Sequence, residues 1–164
     1  MPFVEDGPAP RLADGWLRWD GELARVTRDW CDSNNHLNMG YYLVIFDYQT
    51  DRLWPYLGIG KALRARGLTT FAVETWLDYQ REMLEGDPLG GESRVLDFDD
   101  KRLMIEHRMF HHAEGWITST NEALYLCVDV ATRKVAAWPE DVRARFAELA
   151  QHLPARRLTM KRRA

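Results

Sequence analysis

The chain has 164 residues, which is the length of one domain able to bury roughly two thirds of its unfolded surface. Its net charge of −3, with 46% hydrophobic and 29% charged residues, is ordinary for a soluble globular protein and gives no reason to expect nucleic acid or an anionic membrane as a partner. Two cysteines, the lack of a signal-peptide pattern and the lack of an apolar run of about 20 residues predict a cytoplasmic protein with reduced thiols and no membrane span.

We expect a single domain over residues 1–164. Its first segment, residues 1–15, is rich in proline, glycine and acidic side chains and predicts a loose arm. Residues 16–27 carry spaced apolar side chains and predict the first strand. At the other end, residues 154–164 predict a solvated basic tail. The basic side chains of this tail, which are also candidates for contact with a phosphate-bearing ligand, are Arg156, Arg157, Lys161, Arg162 and Arg163.

The longest helical pattern in the sequence follows Asn38. This residue is placed to cap the first turn, and Pro55 should end or kink the helix near Trp54, because the residue before a proline is disfavoured in the α conformation. A helix entry of this kind directs free N–H groups and the positive end of the helix dipole at whatever lies ahead of it. The stripe that should face the core consists of Tyr42, Phe46, Gln49 or Thr50, Leu53 and Leu57, widened by Leu43 and Trp54.

The rest of the chain is rich in strand patterns. Side-chain alternation and turn residues favour a hairpin at Asp99-Asp100, and the last strand becomes apolar on both faces, which predicts cover on both sides. The predicted strands cover residues 70–79, 93–98, 102–112 and 116–129.

A second amphipathic helix should begin at Pro139 and be stopped by Pro154. Strands that follow one long helix predict an α+β fold. We therefore expect an antiparallel β-sheet wrapped around one long central helix, plus a C-terminal amphipathic helix.

The polar segment ahead of the long helix holds the strongest candidates for chemistry. Asp32 lies just before the helix N-terminus, where a carboxylate can act as a general base or a nucleophile, although an Asp-Ser-Asn-Asn run also commonly caps its own turn. His36 is suited to orienting a ligand or to capping the same turn. Backbone N–H groups at Met39 and Gly40 are suited to polarising a carbonyl oxygen. Cys31 is a further candidate nucleophile, without a Cys/His/Asn constellation to support it.

Other chemistries lack a sequence motif. The chain has no GxGxxG, GxxxxGK[ST] or GxSxG pattern, which argues against dinucleotide binding, P-loop chemistry and an α/β-hydrolase elbow. His107, His111 and His112 lie close in sequence, but neighbouring strand residues face opposite sides and no HExxH spacing exists. We predict neither a metal site nor a bound cofactor.

The run from Asp32 to Tyr42, followed by Phe46 and Asp47, resembles the D-x-x-G-H-x-N-x-x-Y-[YF] signature of hotdog-fold thioesterases of the 4-hydroxybenzoyl-CoA thioesterase type. The resemblance spans about residues 22–153 and implies the hotdog fold and acyl-CoA thioesterase activity. Later segments are similar to the betainyl-CoA thioesterase branch, which acts in carnitine catabolism. These segments are Tyr79, 86–89, 100–103, 120–124 and 128–129.

The resemblance also implies roles for residues of the motif. Asp32 would be the catalytic carboxylate, the N–H of Met39 would polarise the thioester carbonyl, and His36 would be the third catalytic residue. Asn38 and Tyr42 would bind substrate.

One position departs from the family pattern, because Asn35 stands where relatives usually have glycine. If that position needs a positive φ, asparagine is the residue best able to replace glycine. Coenzyme A would be part of the substrate, so the family implies no separate cofactor. Hotdog relatives build their sites between subunits, which implies a homodimer or a dimer of dimers in which the 70–79 strand of a second copy completes the site.

Betainyl-CoA carries a trimethylammonium group, which proteins usually bind in an aromatic cage. The candidate cage residues are Trp30, Tyr41, Phe46 and Trp76, with Glu74 or Asp78 as compensating charge. The candidates for holding the CoA phosphates are Lys61, Arg64, Arg66, Lys101 and Arg102.

Two other functions stay open at this point. Enoyl-CoA hydratases of the same fold carry a D-x-N-P-[hydrophobic]-H motif, but this chain lacks the proline and has its histidine, His36, one residue too early. A non-catalytic hotdog domain that binds acyl-CoA or serves as an assembly unit is the third interpretation, and the intact Asp32 argues against it.

Overall fold

The structure is a computed structural model that describes residues 8–154 and 158–159. Over these residues the chain forms three α-helices and seven strands, and every strand pairing is antiparallel. The helices are α1 (Met39–Leu53), α2 (Lys61–Arg64) and α3 (Glu140–Ala150). The strands are β1 (Arg11–Ala13), β2 (Trp16–Arg18), β3 (Ala24–Arg25), β4 (Leu68–Leu77), β5 (Pro88–Phe98), β6 (Arg102–His111) and β7 (Ile117–Asp129).

The strands form one sheet in the order β1-β2-β5-β6-β7-β4, and β3 pairs with β5 next to β2. The long strands β5, β6 and β7 make its centre, and β4 pairs with β7 at one edge. Helix α1 packs across the inner face, and α3 packs against β5 and the turn that follows α1. The predicted α+β architecture, with an antiparallel sheet around a long helix and an amphipathic helix near the C-terminus, is confirmed.

The core between α1 and the sheet contains two apolar clusters that are separated along the helix. The first half of α1 contributes Tyr42 and Phe46 to one cluster. Its C-terminal end contributes Leu53 to a second cluster, which includes Phe146 of α3. A buried polar group around His107 lies between them. The core is therefore continuous along α1 but changes from apolar to polar in its middle.

A glycine in β5 leaves room for side chains that pack over the sheet. A Cβ atom at Gly91 would lie 2.3 Å from Leu23 Cδ1 and 2.7 Å from Gln49 Oε1 of α1. Both distances are shorter than van der Waals contact, so a larger residue at this position would require the side chains of Leu23 and Gln49 to move.

Helix α1 begins and ends where the local sequence predicts. The side-chain Oδ1 of Asn38 accepts a hydrogen bond from the N–H of Gly40 at 2.9 Å, which makes Asn38 the N-cap. The helix ends at Leu53, and the proline lies in the short 3-10 turn Trp54–Leu57 that follows. Both predicted boundaries are confirmed.

Other details differ from the sequence predictions. Leu43 is 41% exposed, because it lies on the flank of α1 that borders an open groove beside β4. Arg11–Ala13, part of the predicted loose arm, pairs with β2. The predicted strand over 16–27 is divided into β2 and β3 by a bend that contains Asp20 and Gly21. Helix α3 ends at Ala150, before the predicted stop.

Two strands are longer or less regular than predicted. Strand β5 begins at Pro88 rather than at residue 93, because the preceding residues already pair with β3 and β6. Strand β4 contains an irregularity between Ala72 and Glu74. The strict alternation predicted over 70–79 is therefore interrupted.

Residues 1–7 of the predicted arm lie outside the described residues. Within the described residues, no helix has both the length and the apolar character needed to cross a bilayer. The basic side chains that lie outside the described residues are Arg156, Arg157, Lys161, Arg162 and Arg163.

Candidate active site

Asp32 lies in a tight turn that its own carboxylate helps to fix. Its Oδ1 accepts hydrogen bonds from the backbone N–H of Asn34 at 2.8 Å and of His36 at 3.2 Å. The backbone closes the same turn, since the N–H of Asp32 donates to the carbonyl of His36 at 2.8 Å. Asn35 has a φ of 63°, the left-handed conformation that asparagine tolerates best after glycine. This conformation explains why asparagine can occupy a position where the family pattern has glycine.

The second oxygen of this carboxylate is open. The Asp32 side chain is exposed, and no hydrogen bond within the described part of the chain uses its Oδ2. The two interpretations of Asp32 from sequence therefore apply to different oxygens. Oδ1 caps the turn, while Oδ2 is available to accept a proton or to attack a carbon atom.

Helix α1 starts directly after this turn. Because Asn38 accepts the hydrogen bond from the N–H of Gly40, one of the two predicted carbonyl-polarising donors is already used. The N–H of Met39 opens the helix and has no acceptor within it, and no hydrogen bond between described residues uses it. This N–H, at the positive end of the helix dipole, is the donor suited to a developing oxyanion.

A cleft of about 450 Å³ opens at this helix entry, and we call it the Asp32 cleft. Its second wall is the segment 79–82 of the same chain, which follows β4. The sequence predicted a role for residues 70–79 of a second copy and none for residues 80–82. The structure thus brings the motif residues together around one space. The five motif residues that line it are Asp32, His36, Asn38, Met39 and Tyr42.

Tyr79 attaches the second wall to the helix entry. Its hydroxyl donates a hydrogen bond to the backbone carbonyl of Met39 at 3.0 Å. Its ring is nearly perpendicular to that of Tyr42, with 5.1 Å between ring centroids and an angle of 89° between the ring planes. Tyr42 is buried, and this burial raises the pKa of its hydroxyl, which stays protonated.

Backbone contacts hold the motif residues and the second wall of the cleft at a fixed separation. The N–H of Leu37 donates to the carbonyl of Met83 at 2.8 Å, and His36 forms a β-bridge with Leu84. The side chains meet as well, since His36 Nδ1 lies 3.3 Å from Oε2 of the mostly exposed Glu82. His36 is therefore positioned by the second wall in addition to its own turn.

The residues predicted to form an aromatic cage do not come together within one chain. Trp30 and Tyr41 stack on each other at 6.0 Å between centroids, at the edge of the apolar cluster around the first half of α1. Phe46 is fully buried against His107. Trp76 packs with Leu96, Met104 and Leu124 instead, in a separate apolar cluster.

Trp76 lies on the face of the sheet opposite α1. Glu74 pairs across the sheet with Leu124, which belongs to the same cluster as Trp76. Leu103 and Ile105, the neighbours of Met104 in β6, pack on the α1 side, and strand neighbours point to opposite faces. Trp76 and Glu74 therefore face away from α1.

The predicted phosphate-binding cations also lie outside the Asp32 cleft. Arg66 pairs with Asp141, and Arg102 pairs with Asp99. Lys101 lies in the same turn as Asp99 and is exposed. Among the described residues, the basic side chain that lines the Asp32 cleft is Arg81, whose guanidinium lies 4.0 Å from the ring centroid of Trp116.

Lys61 and Arg64 line a different cleft, of about 700 Å³, at the other end of α1. Asp47 and Asp51 of α1 line it too. Burial, and then the neighbouring Asp47, raise the pKa of Asp51 to about 6. This second cleft therefore carries charges of both signs.

A cysteine nucleophile and a metal centre receive no support. The thiol of Cys31 donates to the carbonyl of Thr27 at 3.4 Å, and desolvation together with nearby acidic groups raises its pKa, which disfavours the reactive thiolate. His107 lies in the core between Ser93 and Thr50. Over the described residues, no group of three or more His, Cys, Asp or Glu side chains is arranged to hold a metal ion.

Comparison with known proteins places this geometry in a family. The family described as the thioesterase-like superfamily matches residues 26–146. A betainyl-CoA thioesterase from Pseudomonas aeruginosa is 32% identical over 127 residues, which make up 77% of this chain and 80% of that protein. An L-carnitine dehydrogenase/betainyl-CoA thioesterase from Agrobacterium fabrum is 33% identical over 116 residues, which make up 71% of this chain but only 24% of that longer protein.

Solved structures agree on the fold. A Staphylococcus aureus protein whose structure was determined in complex with CoA superimposes with a TM-score of 0.70 at 24% identity, covering 94% of this chain and 93% of that one. Such a likeness establishes the shared architecture, and the predicted hotdog fold is confirmed. With a matching family profile over most of its length, this chain belongs to the thioesterase-like superfamily.

Proposed function

We propose that this chain hydrolyses the thioester of a short or polar acyl-CoA to the free acid and CoA, with betainyl-CoA as the first substrate to test. The proposal is supported by the relatives named as betainyl-CoA thioesterases, one of which aligns over 80% of its own length. The observation that carries it is the open Oδ2 of Asp32, in a cleft that also contains an unused N–H at the start of a helix.

Two routes fit this arrangement. In the general-base route, Oδ2 of Asp32 takes a proton from a water molecule while the water oxygen attacks the thioester carbonyl carbon. The N–H of Met39 stabilises the resulting oxyanion, the C–S bond breaks, and the proton passes to the CoA thiolate. In the nucleophilic route, Oδ2 attacks the carbonyl carbon directly, and the C–S bond breaks, which releases the CoA thiolate and leaves a mixed anhydride. Water then hydrolyses the anhydride to the free acid and the Asp32 carboxylate, and the released proton passes to the thiolate.

The other motif residues support these steps by position. Asn38 caps α1 and so keeps the N–H of Met39 in place. His36 fixes the Asp32 turn through its backbone and faces Glu82 through its ring. Tyr42 supplies the apolar floor of the cleft, where it would contact the acyl group.

Replacement of Asp32 by asparagine tests the proposal. Asparagine keeps the Oδ1 acceptor that binds the N–H groups of Asn34 and His36, so the turn and the fold should persist. It removes the basic oxygen, so thiol release from betainyl-CoA should fall at least about 100-fold in kcat. Thiol release is followed with a thiol-reactive dye, and folding is checked by thermal melting.

Asp29→Asn is the matched control, because Asp29 is exposed in the short turn Arg28–Trp30 that precedes Asp32 and does not line the cleft. It should leave turnover near the wild-type value. Near-normal turnover by Asp32→Asn would remove this carboxylate from the mechanism. Binding of acyl-CoA by the wild type without any thiol release would favour a non-catalytic domain, and a change in enoyl absorbance would favour a hydratase.

A further inference from the structure

The position of the charge in a betainyl group decides where a protein can recognise it. A single methylene separates the trimethylammonium nitrogen from the thioester carbonyl. Any group that contacts this cation must therefore share a cleft with Asp32 and Met39, which the proposed function assigns to the carbonyl. The rings expected from sequence at Trp30, Phe46 and Trp76 do not line that cleft.

The Asp32 cleft has its own aromatic walls, at Tyr42 and Tyr79. The two rings stand at 89° to each other in an edge-to-face contact, so the buried Tyr42 supports the ring of Tyr79, which is the ring that faces solvent. Quaternary ammonium groups bind against the face of an exposed aromatic ring, because the methyl-covered cation meets the negative face of the ring.

Tyr79 is the more informative of the two rings. It is 50% exposed, so it is not a core residue, and yet its hydroxyl is held by the carbonyl of Met39. The hydrogen bond anchors the ring beside the N–H that opens α1. A solvent-facing ring fixed at this point is placed to contact a group adjacent to the thioester carbonyl.

The charges at the cleft are consistent with a cationic acyl group. Asp32 and Glu82 both line it, and Glu82 keeps most of its side chain in solvent. The positive side chain of the same wall, Arg81, lies over the ring of Trp116. Two carboxylates therefore face the space beside Tyr79.

Building on the proposed thioesterase function, we propose that Tyr79 is a specificity-determining residue that recognises a quaternary ammonium on the acyl group, with Glu82 as the counter-charge. None of these contacts involves Trp30, Phe46 or Trp76, which do not line the Asp32 cleft. The proposal separates recognition of the cation, by the wall 79–82, from the chemistry at Asp32 and Met39.

A pair of substrates isolates the effect of the charge. Betainyl-CoA and tert-butylacetyl-CoA have the same shape, but the second has a neutral carbon in place of the nitrogen. The quantity to measure is the ratio of kcat/KM for the two substrates by thiol release. In Tyr79→Leu, which removes the ring, this ratio should fall about 5- to 30-fold, the size of one cation–π contact.

Two further variants distinguish recognition from structure. Tyr79→Phe keeps the ring face but loses the hydrogen bond to Met39 that anchors it, so its ratio should fall less than that of Tyr79→Leu. Glu82→Gln should lower the ratio, whereas Glu85→Gln should not, because Glu85 is an acid of the same loop that does not line the cleft and pairs with Arg28.

The outcomes are distinguishable. If wild-type protein releases thiol from neither substrate, the proposed function itself fails. If Tyr79→Leu loses activity equally with both substrates, the ring is only structural and the inference is overturned. A wild-type protein that hydrolyses both substrates equally well would overturn it too.

Discussion

His107 is a buried base that takes no part in the Asp32 cleft. The hydroxyl of Thr50 donates to the carbonyl of Phe46 at 2.9 Å, so it accepts from His107 Nε2–H at 2.9 Å. Gln49 donates to Ser93 Oγ at 2.8 Å, and the hydroxyl of Ser93 donates to His107 Nδ1 at 2.6 Å. Each hydrogen bond fixes the direction of the next, and this series of hydrogen bonds requires a neutral imidazole at His107.

We expect this histidine to make the fold sensitive to acid. Burial lowers the pKa of His107 to about 3 from its ordinary value of 6.5. Between these values the unfolded chain binds a proton that the folded chain does not, so His107 stabilises the fold above about pH 6.5 and this stability is lost as the pH falls, by up to about 1.4 kcal/mol per pH unit. Urea unfolding across this range should give a flatter profile for His107→Gln.

Asp51 provides the opposing control in the same measurement. Its folded pKa is raised to about 6, so the folded chain binds the extra proton and stability is lost as the pH rises through that value. Asp51→Asn removes this opposing slope and should make the dependence on pH steeper. A profile that does not change in His107→Gln would contradict the assignment of the acid sensitivity to this buried histidine.

At the scale of the element, the start of α1 connects stability to the site. We predict that Asn38→Ala lowers the free energy of unfolding by about 1 kcal/mol, because the N–H of Gly40 loses its acceptor. It should also lower turnover, since the first turn that holds the N–H of Met39 loosens. Urea unfolding and thiol release measure the two effects.

Asn38→Ser should keep most of the stability, because serine is also a good N-cap. Asn34→Ala is the matched loop control, since Asn34 uses its backbone rather than its side chain in the Asp32 turn. An Asn38→Ala protein as stable as the wild type would mean that another group caps the helix.

Helix α1 illustrates how much of the fold can be predicted from the sequence. The bounds of α1 depend on Asn38 and on the proline after Trp54, which act on their immediate neighbours, so local rules suffice. The width of the buried stripe depends on what packs against the helix, which is why the prediction for Leu43 was wrong. Periodicity alone does not tell which flank the sheet leaves uncovered.

Local sequence likewise predicts one part of the candidate site and not the other. The residues from Asp32 to Tyr42 are contiguous, and the family motif identifies them together. The wall 79–82 reaches them only through contacts across about 40 residues of sequence, such as the bond from Tyr79 to Met39. The period of a strand puts Glu74 and Trp76 on one face, but only the tertiary structure shows that this face points away from α1.

At the scale of the whole molecule, one flank of α1 and one edge of the sheet are uncovered. A groove of about 350 Å³ is lined by Leu43 and Val44 of α1 and by Ala72 and Thr75 of β4. Over the described residues β4 pairs only with β7, so its other edge leaves backbone groups unpaired. An apolar groove beside an open strand edge is a surface that a second copy commonly covers.

We therefore predict a homodimer or a dimer of dimers that Val44→Glu disrupts. Val44 is 39% exposed, so a glutamate there is solvated in a single chain but would be buried without a partner in a dimer. Val130→Glu is the matched control, because Val130 is also exposed, at 52%, in the turn after β7 and does not line the groove. Light scattering at micromolar concentration should give a smaller mass for Val44→Glu and an unchanged mass for Val130→Glu.

If the second subunit completes the site, thiol release should fall together with the mass in Val44→Glu. A wild-type protein that is active as a monomer would contradict the shared site.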